Sequence, residues 1–266
     1  MIMTSALRAG LIALLASATL GLGGLAAAKD GPTVAAASDL KFALDEVAAA
    51  FQQQTGRTAR ISYGSSGNFM RQILQDAPFE LFLSADEAFV FQLADQGRTL
   101  DRGALYATGR IVLFAPRASS LQPDAQLAGL RKALAEGRIA RFAIANPDHA
   151  PYGRAAREAL IAAGLWQSLQ GRLVLGENVS QAAQFAVSGS TQGGIFAYSL
   201  ALAPAFGNAG RHVLVPEDMH QPLRQRMVLT RKAGPAAQAF FAYLQQPAAR
   251  GIFRRYGFVL PGEAAN

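Results

Sequence analysis

The sequence predicts an α/β protein built as two lobes. Residues 33–97 alternate short apolar runs with helical patterns in a βαβαβα order, the signature of an open parallel sheet covered by helices. After about residue 116 the same alternation starts afresh, which marks a second α/β lobe. The chain has 266 residues, 51% of them hydrophobic and 16% charged. That is enough apolar content for one large core or two smaller ones, and far from a disordered composition.

Ahead of the first strand, residues 1–8 carry one arginine, Arg8, and residues 9–25 form an apolar run. Ala26-Ala27-Ala28 ends that run in small residues before Lys29. These are the parts of a secretory signal peptide, so residues 1–28 are expected to be cleaved off after Ala28. No later stretch reaches membrane-spanning length. The mature chain is therefore expected to be exported and soluble.

Residues 33–37 read as a buried strand, broken by Ser38-Asp39. Leu40, Phe42, Leu44, Val47, Ala48 and Phe51 give residues 40–51 the broad apolar face of a helix. Asp39 reads as its N-cap and Gly56 as its C-cap. A strand over 58–63 runs through Gly64-Ser65-Ser66-Gly67 into a helix over 68–76, ended by Ala77-Pro78. A strand over 80–84 and a helix over 85–96 follow. Residues 110–116 are a continuous apolar strand, and 119–124 a Ser/Gln/Pro loop. The second lobe reads as helix 127–136, strand 141–145, helix 151–163, a short helix 165–169, strand 173–175, helix 181–188 and strand 193–197. A strand over 226–230 and helices over 235–244 and 247–255 lead to Tyr256-Gly257-Phe258, which closes the fold. The tail after Leu260 is expected to fray.

Several chemistries are excluded or weak. There is no cysteine, hence no disulfide, thiolate metal site or Cys nucleophile. No P-loop, G-x-S-x-G or H-E-x-x-H motif occurs. His149, His212 and His220 lack metal-ligand spacing. The adjacent pairs Asp45-Glu46 and Asp86-Glu87 point apart on helices and read as solvated faces. The net charge of +7 comes from scattered basic residues without interleaved aromatics. It reads as a solvated surface with some attraction for anions, and no nucleic-acid partner is expected.

Four turns share one character. They are Ala36-Ala37-Ser38-Asp39, Gly64-Ser65-Ser66-Gly67, Asn146-Pro147-Asp148-His149-Ala150-Pro151-Tyr152-Gly153 and Glu177-Asn178-Val179-Ser180. Each leads into a helix start, where the first N–H groups have no partner within the helix and the dipole favours negative charge. Small residues let a ligand approach the backbone. Taken singly, each turn reads equally well as ordinary capping. Gathered at the carboxyl ends of the strands, the four would hold a small oxyanion.

The segments Val34-Ala35-Ala36-Ala37-Ser38, Ser62-Tyr63-Gly64-Ser65-Ser66-Gly67 and Ala77-Pro78-Phe79-Glu80-Leu81-Phe82-Leu83-Ser84-Ala85-Asp86 recur in one known family. So do the turn 146–153 and Ile252-Phe253-Arg254-Arg255-Tyr256-Gly257-Phe258. In this order, across residues 33–260, they make the chain resemble the periplasmic molybdate-binding proteins of ABC importers. The resemblance implies a type II periplasmic binding protein fold. Lobe 1 would span 29–109 and 225–266, and lobe 2 would span 110–224. Each would be a mainly parallel sheet flanked by helices, with crossover hinge strands joining the two and the anion in the cleft. It implies that Ser38 and Ser66 give hydroxyl and N–H donors, and that Tyr152 and Val179 give mainly backbone N–H. Asp39, Ser65 and Tyr198 are further candidates: Asp39 as acceptor from a protonated oxyanion, and Tyr198 as a hydroxyl just after the Gly-Ile strand.

The same resemblance implies a periplasmic, non-enzymatic monomer. Its ligand would be molybdate or tungstate, held through oxygen with no direct protein–metal bond and no cofactor, and its partner the membrane permease of an ABC importer. Both anions are deprotonated near neutral pH and only accept hydrogen bonds, as sulfate does, whereas phosphate usually carries a proton. The rival readings are the same fold binding sulfate, phosphate or another oxyanion; an exported serine hydrolase using Ser66 with His149; and a sensor domain of the same architecture.

Overall fold

The computed structural model describes residues 29–206 and 208–263. The expected signal peptide lies outside the described residues. The chain forms β1 (Lys29–Ala37), α1 (Lys41–Thr55), β2 (Arg57–Gly64), α2 (Ser66–Leu74), β3 (Leu81–Ser84), α3 (Glu87–Asp95), β4 (Ala104–Gly109) and β5 (Ile111–Pro116). It continues with α4 (Ala128–Ala135), β6 (Phe142–Ala145), α5 (Pro151–Ala162), α6 (Trp166–Leu169), β7 (Leu173–Gly176), α7 (Val179–Val187), β8 (Gly194–Ala197) and α8 (Tyr198–Ala201). It ends with β9 (Gly210–Leu214), β10 (Leu223–Leu229), α9 (Pro235–Leu244) and α10 (Pro247–Arg255).

Two five-stranded sheets result, ordered β2-β1-β3-β10-β4 and β7-β6-β8-β5-β9. In each, three neighbouring strands run parallel and two further strands pair antiparallel. The αβ-connected strands are parallel as expected, and each sheet as a whole is mixed. The antiparallel pairs come from the strands where the chain passes between sheets. β4 and β5 are separated by Arg110 alone, so the first crossing is nearly continuous strand. The second lies between β9 and β10 and contains a short 3₁₀ turn, Glu217–Met219.

Period-two alternation builds the first lobe in three layers. Val34, Ala36, Leu81, Leu83 and Met227 face Leu44, Val47 and Phe51 of α1 and Phe240 and Phe253 of the last two helices. Ala35, Phe82 and Val228 face the other way, against Phe69, Met70 and Ile73 of α2 and Val90 and Leu93 of α3. The second lobe is centred on Ile111–Ala115, Phe142–Ala145 and Ile195–Ala197, all fully or almost fully buried. Each large side chain removed from water in this way contributes about 1.5–3 kcal/mol.

Two strands escape sequence reading. β4 (ALYATG) has weak alternation, and β9 (GRHVL) is a half-buried edge strand. Both are fixed by partners distant in sequence. The tail also departs from expectation as far as Glu263, which is tied to Arg254, while Arg250 reaches the Pro261 carbonyl.

Candidate oxyanion site

Four connections bring the site together at the carboxyl ends of parallel strands. β1 runs into a 3₁₀ turn, Ser38–Leu40, and β2 into α2. From the second lobe, β6 leads to α5 and β7 to α7. These are the four turns singled out by sequence. They enclose a cavity lined by Ser38, Asp39, Ser65, Ser66, Tyr152 and Val179, with Ala37, Gly64, Ala85, Ala150 and Pro151. The space open to the centre of a water-sized sphere is about 10 Å³. A space of that size holds about one water molecule.

The local hydrogen bonds decide which groups face a ligand. Ser38 Oγ accepts from the Ser180 N–H at 3.2 Å, and Ser180 Oγ donates to the Ser38 carbonyl at 2.8 Å. Ser66 Oγ accepts from the Ala85 N–H at 3.0 Å. A hydroxyl whose oxygen already accepts keeps its proton to donate. Both serines therefore offer O–H donors, and both are buried. The helix caps sit one residue earlier: Ser65 caps α2 through the Asn68 N–H, and Asn178 caps α7 through the Gln181 N–H at 3.1 Å. Ser66 and Val179 then open their helices, and Tyr152 is second in α5 after Pro151. Amides of a helix's first turn have no acceptor within the helix and lie at the positive end of its dipole.

Asp39 does not cap α1. Its backbone is already in the 3₁₀ turn, Leu40 occupies the N-cap position, and no side-chain cap bond forms. The carboxyl instead turns into a buried polar cluster. Tyr106 O–H donates to Gln225 Oε1 at 2.7 Å, which fixes the amide's orientation. The Gln225 amide nitrogen then donates to Asp39 Oδ2 at 2.7 Å and to the Tyr152 hydroxyl at 2.9 Å. Tyr152 O–H donates to the same Oδ2 at 2.8 Å. Asp39 Oδ1 is buried without a hydrogen-bond partner among the described residues. Burial pushes the Asp39 carboxyl up to about 6, against the pull of Gln225 and Tyr152 in the other direction. The Tyr106 and Tyr152 hydroxyls are held well above their usual range, by burial first and then by Asp39.

The structure thus gathers Ser38, Asp39, Ser65, Ser66, Tyr152 and Val179 and leaves Tyr198 apart. Tyr198 opens α8, with Arg110 over its ring at 5.0 Å and His212 beside it at 5.8 Å. Ser65 lines the cavity, but its oxygen is engaged by the Asn68 N–H and by His149 Nδ1 at 3.0 Å. The pairing of Ser66 with His149 required by a hydrolase does not form, because His149 meets Ser65 instead. Glu177 lies 3.6 Å from the other His149 nitrogen and is 71% exposed, beyond hydrogen-bond distance. Among the described residues no group of His, Asp or Glu is placed to hold a metal ion. Gln225 and Tyr106 were not singled out by sequence. A signal existed for Gln225: alternation in β10 puts it on the inward face with Leu223 and Met227.

Further bonds join the lobes around the cavity. Gly67 N–H donates to the His149 carbonyl at 3.0 Å, Ser199 O–H donates to the Asp39 carbonyl at 2.8 Å, and Arg154 pairs with Asp86.

A family described as bacterial extracellular solute-binding protein matches residues 32–259. A protein named molybdate-binding protein ModA from Rhodobacter capsulatus is 36% identical over 256 residues, covering 95% of this chain and 96% of its own. Its namesake from Azotobacter vinelandii is 35% identical, over 91% of this chain and 95% of its own. The solved structure titled Azotobacter vinelandii periplasmic molybdate-binding protein superposes with a TM-score of 0.79 at 33% identity, covering 86% of this chain and 99% of that one.

Proposed function

The chain belongs to the bacterial extracellular solute-binding protein family, and we propose that it captures molybdate in the cavity between its lobes. The observation that carries this reading is the convergence of four strand-to-helix turns whose free groups are donors. Ser38 and Ser66 supply hydroxyls. Ser66, Tyr152 and Val179 supply first-turn amides. A tetrahedral dianion that only accepts hydrogen bonds matches such a lining, and neutral donors at helix N-termini stabilise it without a counter-ion. Tungstate, of the same shape and charge, binds alongside molybdate. The names borne by the two relatives support the choice of anion.

The two lobes, taken as 29–109 with 225–266 and as 110–224, close over the anion by bending at the two crossings. The closed protein, a monomer in the periplasm after loss of residues 1–28, hands the anion to the permease of an ABC importer. The Asp39 carboxyl favours a second reading, a protonated oxyanion such as phosphate, from which Oδ1 would accept. Calorimetric titration with molybdate, tungstate, sulfate and phosphate separates the two. Molybdate and tungstate are expected to bind at least tenfold more tightly than the others. A preference for phosphate, or no heat with any of the four, rejects the molybdate reading.

A further inference from the structure

Asp39 is the feature of the site that simple anion capture does not explain. An acceptor-only carboxylate lining a cavity for a dianion opposes the ligand, and two like charges at close range cannot both persist away from water. The hydrogen bonds around it have one consistent direction. The side-chain donors that reach the carboxyl both go to Oδ2: one amide hydrogen of Gln225 and the Tyr152 proton, while the second Gln225 hydrogen goes to the Tyr152 oxygen. Oδ1, buried and without a partner on a residue that lines the cavity, is the oxygen left to carry a proton.

We propose that Asp39 couples anion capture to proton uptake: the protein takes up its dianion together with one proton, carried by the Asp39 carboxyl. The inference rests on the oxyanion reading above and adds to it a proton taken up with the ligand.

The groups facing the carboxyl are Tyr152 from α5, Tyr106 from β4 through Gln225, Gln225 from β10, Ser199 from α8 on the backbone carbonyl, and the backbone amides of Asp39 and Leu40. None is a cation. Burial already raises the carboxyl to about 6 with no anion charge beside it. A dianion raises it further, so at pH 7–8 binding converts an ionised Asp39 to a proton-bearing one. At pH 5 the proton is already in place.

Calorimetry of the mature protein with molybdate, run at pH 7.5 in two buffers of different ionisation enthalpy, counts the protons taken up. Close to one proton per anion is expected, falling toward zero at pH 5. Affinity for molybdate is expected to fall up to tenfold per pH unit between pH 7 and 8.5. Asp39→Asn removes the titrating carboxyl. The pH slope and the proton uptake are both expected to vanish. Molybdate binding by the wild type with no proton uptake at pH 7.5 overturns the inference while leaving anion capture standing. The absence of molybdate binding in either buffer overturns both.

Discussion

Gly67 is the place where closure can be obstructed without touching a group that holds the anion. A β-carbon built on it would lie 2.7 Å from the His149 carbonyl oxygen, 3.1 Å from its Cα and 3.2 Å from its Cβ. These are atoms of the opposite lobe, and ordinary contact begins near 3.4 Å. Gly67→Ala therefore forces the lobes apart locally by several tenths of an ångström or leaves a clash. Either outcome also weakens the 3.0 Å bond from the Gly67 N–H to the same carbonyl. Overpacking costs about 1–3 kcal/mol and a lost hydrogen bond about 0.5–1.5 kcal/mol. Because the lobes relax partly, the closed form should lose about 2–3 kcal/mol, which weakens anion binding roughly 30–150-fold. The open form should move the other way. Gly67 sits in the first turn of α2 with no left-handed backbone requirement, and alanine is the better helix former by up to about 1 kcal/mol. Titration calorimetry measures the first effect, and thermal unfolding of the ligand-free variant the second. Unchanged affinity, or a ligand-free protein destabilised as much as the complex, refutes this account of closure.

Ser38→Ala and Ser66→Ala each remove one hydroxyl donor, so each is expected to weaken molybdate binding by about 1–3 kcal/mol in calorimetry; full affinity in both would move the site elsewhere. Asp39 makes stability depend on pH. Its folded carboxyl titrates at about 6 against an ordinary 3.8, so between those values the folded chain holds more protons than the unfolded one. Stability relative to Asp39→Asn is thus greatest below about pH 4, falls as pH rises to about 6, and is then flat, a change on the order of 3 kcal/mol that urea unfolding from pH 4 to 7.5 detects. A slope of the opposite sign rejects the placement of Asp39. Tyr152→Phe takes one of two side-chain donors from Asp39 Oδ2 and an acceptor from Gln225. It should cost about 1–3 kcal/mol of folding stability at pH 7.5 and less at pH 5, where the carboxyl is protonated; equal losses at both pH values would contradict the network.

The legible parts of the site were those written in short range. A serine between a strand and a helix signals a helix start wherever it occurs. The relation of Ser66 to Ala85, or of Ser38 to Ser180, follows once the strand order is granted. Asp39 was read as a cap because local preference favours that role. What overrides it is the 3₁₀ turn that carries the carboxyl past the helix start, and partners far along the chain at Tyr152 and Gln225. Tyr198 was placed by its position after β8, but its direction is set by Arg110, which leaves β4 and holds the Gly257 carbonyl through its guanidinium. β4 and β9 were missed for a like reason: neither has a pattern of its own strong enough to announce a strand, and each becomes one by lying against β10 or β5.

The order of strands in the first sheet also bears on how the chain is made. β3 lies between β1 and β10, and β10 begins at Leu223. A growing chain that has finished β1 to β4 therefore has the far side of β3 unpaired and β4 without a neighbour until the whole second lobe has been synthesised. The second lobe suffers no such delay, since β5 to β9 are contiguous in sequence. The first lobe's folding waits on contacts between residues well over a hundred positions apart, a long loop closure that is slow compared with local pairing. A nascent chain of this kind stays incompletely folded until its last segment emerges. In the interval the unpaired edge of β3 is the exposed strand of the first lobe.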